Sequence, residues 1–99
     1  MSVTAYHFWS ATCAPCRAIK PVIEDLKEEF PQVTWVSVDT HNDREGIANK
    51  FSIHVVPTIV IVATDSTGKE VYSDKNSGTA VANYYRMIRS GLRAANLQS

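Results

Sequence analysis

The passage from strand to helix across residues 9 to 17 constrains this chain more than any other stretch. Val3 to Trp9 is apolar and aromatic, as a strand requires. Cys13 to Phe30 then places Cys16, Ile19, Ile23, Leu26 and Phe30 three or four residues apart, which is one face of a helix. Val33 to Asp39, β-branched and aromatic, reads as the next strand. A strand, a helix and a strand in this order imply a parallel pair joined by a right-handed crossover. The chain therefore opens as an α/β domain.

The remaining pattern completes it. Pro21 should kink the first helix, because it cannot donate a backbone hydrogen bond, and Pro31 stops that helix. Asn42 or Asp43 is placed to cap a short helix running through Phe51. Thr58 to Ala63 reads as a buried strand, Ser66-Thr67-Gly68 as a turn, and Lys69 to Ser73 as the second strand of a hairpin. Ser77 or Thr79 is placed to cap a last helix with Val81, Tyr84, Tyr85, Ile88 and Leu92 on one face. Arg93 to Ser99 is expected to fray. The order is β-α-β-α-β-β-α, a four-stranded mixed sheet with helices on both faces. Its 99 residues suit a single domain, 1–99.

Ten Lys and Arg against ten Asp and Glu leave no basic field for nucleic acid. The longest apolar run, near Val60, is too short to cross a bilayer. Met1 to Trp9 lacks the basic and apolar regions of a signal peptide, so the expected compartment is the cytoplasm. Structural disulfides are rare there, which makes the only two cysteines, Cys13 and Cys16, the more telling.

At helical spacing the two sulfurs can meet. Cys13 sits at the helix start, where free N–H groups and the helix dipole favour a thiolate. Such placement lowers a thiol pKa from about 8.5 to roughly 3.5–7.5. Cys16 lies one turn deeper and is expected to be shielded. Pro15 suits the first turn, where its missing N–H costs little. Cys13 can then attack a substrate disulfide, and Cys16 can resolve the mixed disulfide. Three plainer readings compete. Zinc needs about four ligands, and His7, His41 and His54 are not at ligand spacing, so no metal or other cofactor is expected. A structural disulfide closing so short a loop would stabilise little. Two inert thiols would waste the cap position.

Phe8-Trp9-Ser10-Ala11-Thr12-Cys13-Ala14-Pro15-Cys16-Arg17 resembles the Phe-Trp-Ala-x-Trp-Cys-Gly-Pro-Cys-Lys run of the thioredoxin family. Pro21 falls at that family's helix proline, and Val56-Pro57-Thr58 resembles its Ile-Pro-Thr at matching separation. The resemblance covers roughly Tyr6 to Ile88. It implies a thioredoxin-like fold and a disulfide reductase acting on protein substrates, served by a thioredoxin reductase. It also implies a cis Pro57 facing the cysteines, a Val56 backbone that pairs with substrate, Trp9 beside the disulfide, and Ser77 or Gly78 at the groove border.

The chain departs from the family in four places. Only twelve residues precede Cys13, where the family usually has a further strand and helix. Val33–Asp39 should then be a sheet edge, open to weak pairing with a second copy, although a monomer is the expectation. His7 stands where the family has a buried acid, and the family's partner lysine falls near Ser37. Alternation puts His7 on the face of Trp9, under the helix near Cys16. It is a candidate proton acceptor for Cys16 or else an ordinary core histidine. Thr12 replaces a tryptophan that contacts substrate, and Ala14 replaces a glycine. Arg17 is more simply a solvated charge than a catalytic one, and Tyr84, Tyr85 and Met87 read as core and rim. Two other functions compete with the reductase: a glutaredoxin-like protein using glutathione, and an interaction subunit with incidental thiols.

Overall fold

The computed structural model describes residues 1–97. Its elements are β1 (Ser2–Trp9), α1 (Ala14–Glu29), β2 (Thr34–Asp39), α2 (Ile47–Lys50), β3 (Thr58–Thr64), β4 (Glu70–Ser77) and α3 (Val81–Ala94). The sheet order is β2-β1-β3-β4, with β1 parallel to β2 and the other pairs antiparallel. This is the expected thioredoxin-like α/β fold with a four-stranded mixed sheet.

Alternation along β1 and β3 divides the core. Val3 and Ala5 of β1, with Ile59, Ile61 and Ala63 of β3, face α1 and α3. Those helices return Ile19, Ile23, Leu26, Tyr84, Met87, Ile88 and Leu92 to the same cluster. Each such side chain, fully buried, contributes about 1.5–3 kcal/mol. Phe8, Val38 and Val60 point to the other face, where α2 with Phe51, Ile53 and Val56 covers them. Helices thus lie on both faces, but only a four-residue helix serves the second.

Four boundaries differ from the sequence reading. The α2 helix starts at Ile47, because Gly46 takes a left-handed φ of 67° that ends any helix before it. Asp43 still caps it from a distance, its two carboxylate oxygens accepting from the Ile47 and Ala48 amides at 3.0 and 2.8 Å. The β4 strand runs on to Ser77, which pairs with Thr58 and shares a hydroxyl hydrogen bond with it at 2.7 Å. Ser77 therefore does not cap α3, and neither does Thr79: the cap position is Ala80, with no side-chain cap bond. The C-terminal segment is not frayed between Arg93 and Leu97. Ala95 is buried, and the Leu97 amide donates to the Leu92 carbonyl at 2.7 Å. The rest of that expectation, residues 98–99, lies outside the described residues.

Candidate active site

The β1 strand ends at Trp9, and one turn lies between it and α1. The Cys13 amide donates to the Ser10 carbonyl at 3.2 Å, closing that turn. Cys13 then takes extended backbone angles and becomes the N-cap of α1. Its Sγ accepts from the Cys16 amide at 3.1 Å, the place a capping oxygen usually fills. The two cysteines are joined as a disulfide, with Cα atoms 5.2 Å apart. Cys13 is half-buried, and Cys16 is only 5% exposed. Pro15 lies in the first helical turn and Pro21 inside the helix, which continues past it.

Across the groove the Val56–Pro57 peptide bond is cis. Cys13 Sγ lies 3.7 Å from the Val56 carbonyl oxygen. Thr58 Oγ1 donates to the Val55 carbonyl at 2.7 Å, fixing the loop behind Pro57. Gly78 adopts φ 100°, a conformation that a side chain would strain. Its amide donates to the Pro57 carbonyl at 2.9 Å, and its carbonyl accepts from the Tyr84 hydroxyl at 2.6 Å. Gly78 is thus tied directly to the proline segment, whereas Ser77 is spent on Thr58. Thr12 is exposed beside Cys13.

Behind the disulfide lies a cleft of about 400 Å³ between α1 and the β2 edge. Cys16, His7, Trp9 and Ser37 all line it, so His7 and Trp9 share this cleft with the buried cysteine. The Trp9 indole N–H donates to Ser37 Oγ at 2.7 Å. His7 pairs in register with Ser37, is 8% exposed, and has an Nε2 with no hydrogen-bond partner among the described residues. Burial lowers its pKa from 6.5 to about 4; the Lys27 charge adds to the fall and Glu24 opposes it. The imidazole is therefore neutral at pH 7. His41 and His54 are exposed and remote from this cluster. Among the described residues no three His, Cys, Asp or Glu side chains gather as metal ligands.

No sequence motif singles out Lys20, Glu24 or Lys27, yet all three border the cleft. The signal was present: Cys16, Lys20, Ile23 and Lys27 follow one another at four, three and four residues, a single stripe of the helix. Arg17 also lines the cleft, and its guanidinium donates to the Ala11 carbonyl at 2.9 Å.

A family model described as Thioredoxin matches residues 3–86. The chain is 42% identical over 59 residues to "Thioredoxin O1, mitochondrial" of Arabidopsis thaliana, covering 57% of this chain and 29% of that protein. It is 33% identical over 63 residues to "Thioredoxin F-type, chloroplastic" of Pisum sativum, covering 64% of this chain and 35% of the relative. The chain thus spans about a third of the length of these curated relatives. The solved structure of Fasciola hepatica thioredoxin superposes with a TM-score of 0.76 at 32% identity, over 91% of this chain and 81% of that one.

Proposed function

The chain belongs to the thioredoxin family, and we propose that it is a thiol–disulfide oxidoreductase that reduces disulfides in protein substrates. One observation carries this reading. Cys13 Sγ occupies the cap of α1, half-exposed and beside the Val56 carbonyl, while Cys16 sits one turn behind it. The helix end stabilises a Cys13 thiolate, which attacks one sulfur of the substrate disulfide and expels the other as thiolate. Cys16 loses its proton and attacks Cys13 Sγ. The mixed disulfide breaks, the second substrate sulfur leaves, and Cys13–Cys16 closes. Two electrons have passed from the pair to the substrate, and no cofactor is needed.

Val56 offers its backbone to an extended substrate segment, with Trp9, Thr12, Pro15, Pro57 and Gly78 bordering the groove. His7 accepts the Cys16 proton; its neutral ring lines the same cleft as Cys16, with Nε2 unpartnered among the described residues, and this supports that role. Residues 1–99 act as one domain and as a monomer, re-reduced by a thioredoxin reductase in a reducing compartment such as the cytoplasm.

Insulin reduction tests the reading. Thioredoxin reductase with NADPH should sustain turnover. Cys13→Ser should abolish it, and Cys16→Ser should stall as a mixed disulfide. Turnover sustained by glutathione alone would favour the glutaredoxin-like alternative. A double variant, Cys13→Ser with Cys16→Ser, that keeps full biological activity while losing insulin reduction would leave the thiols incidental and make the chain an interaction subunit.

A further inference from the structure

The cleft behind the disulfide has more structure than proton transfer from Cys16 requires. Its volume of about 400 Å³ is that of a small-molecule site. One wall is flat and apolar: the Trp9 indole, held in place by its bond to Ser37, with Ala11 and Ile23. The rim is cationic. Arg17, Lys20 and Lys27 line it against a single acid, Glu24, which pairs with Lys27 at 3.1 Å. At the closed end stands His7, more than nine-tenths buried, with Nε2 unpartnered among the described residues. A buried polar nitrogen without a partner costs stability that a ligand atom can restore.

We propose that this cleft binds a small organic monoanion with a flat apolar body. The body lies against Trp9 and Ile23. The anionic group meets the excess positive charge of Arg17 and Lys20, neither of which forms an ion pair among the described residues, Glu24 being paired with Lys27. Of the groups facing His7 across the cleft, Lys27 holds its proton off and Glu24 favours it. A bound anion adds to the Glu24 side, so binding and protonation of His7 are linked: each strengthens the other. Such a ligand would also cover the flank of Cys16. The site itself stands apart from the reductase reading, because its test reads binding and not turnover.

Benzenesulfonate is the probe, since it stays ionised throughout the titration of His7. Benzenesulfonamide is its neutral counterpart, and inorganic phosphate is an anion without the body. In nitrogen–proton correlation spectra benzenesulfonate should shift the Trp9 indole and His7 ring signals saturably, with a dissociation constant on the order of 1 mM for so small a ligand. Lys20→Gln, at an exposed helix position, should weaken it about threefold, the weight of one partly screened charge. The His7 midpoint should rise from about 4 as the probe saturates. The proposal fails if neither signal shifts saturably, if benzenesulfonamide binds equally well, if phosphate reproduces the shifts, or if the His7 midpoint stays where it is.

Discussion

Cys16 is buried one turn inside α1, whereas Cys13 is half-exposed and holds the helix cap. The two sulfurs, three residues apart, are thus differentiated by one turn of helix: in the reaction proposed above, Cys13 attacks and Cys16 must be deprotonated first. The proposed acceptor is His7, a neutral base weakened by burial. His7→Asn should slow resolution of a preformed mixed disulfide by about tenfold to a hundredfold, at or below the bottom of the range for general acid–base catalysis because burial makes the imidazole a weak base. In the wild type that step should also fade below pH of about 4 as the imidazole is protonated. The Asn variant should be slower throughout and lack that limb. Rapid-quench measurement across pH checks both, and equal rates in the two proteins would remove His7 from the mechanism. The cysteines were legible in the sequence because a cap and a three-residue spacing are local facts. His7 was legible through strand alternation, but the charges acting on it come from α1, across the cleft.

The α3 helix carries two contacts that no local pattern announces. Gly91 lies flat against the sheet. A Cβ there would stand 3.0 Å from Ile61 Cγ2 and 3.4 Å from Val3 Cγ1, both in the fully buried core. The helix accepts glycine at that position because β1 and β3 come so close. Gly91→Val should lower stability by about 2 kcal/mol through overpacking, despite relieving glycine's entropic cost. Urea unfolding reads the shift, and a gain in stability would mean that the helix can lift from the sheet. Tyr84 is the second contact, reaching from α3 to the Gly78 carbonyl and thereby to the turn that holds Pro57. Element order and type were readable because the helix and strand periods are strong over α1, β1, β3 and α3. The boundaries that moved did so for tertiary reasons. Residues 74 to 77 are polar and resemble a loop, yet they extend β4 because β3 offers its edge as far as Thr58. Ala95 and Leu97 resemble a tail, yet the core claims them.

At the scale of the molecule, one face of the sheet is closed by two long helices and the other by α2 and its flanking loop. The closed face holds groups that tie stability to pH from opposite sides, His7 on the acid side and Tyr84, with Tyr72, on the alkaline side. Burial lowers the His7 pKa to about 4 and raises that of Tyr84 to about 12. Between pH of about 6.5 and 4, unfolding lets His7 take up a proton that the folded chain excludes, so stability is full above 6.5 and falls as pH falls. The loss should total about 3 kcal/mol, since each tenfold difference in proton affinity between the folded and unfolded chain is worth about 1.4 kcal/mol. Above pH 10 the signs reverse. The unfolded chain ionises Tyr84 while the folded chain keeps it neutral, so stability falls as pH rises from 10 towards about 12. Urea midpoints taken from pH 4 to pH 11 should therefore trace a plateau between about 7 and 10 with a fall on each side. His7→Leu should flatten the acid side alone. Tyr84→Phe should lessen the alkaline fall, leaving the part that Tyr72 carries, while lowering the plateau by about 1 kcal/mol for the hydrogen bond lost to Gly78. If the acid side keeps its slope without His7, the imidazole is solvated in the folded chain, and the cleft is open enough to water to abolish the pKa difference that burial gives it.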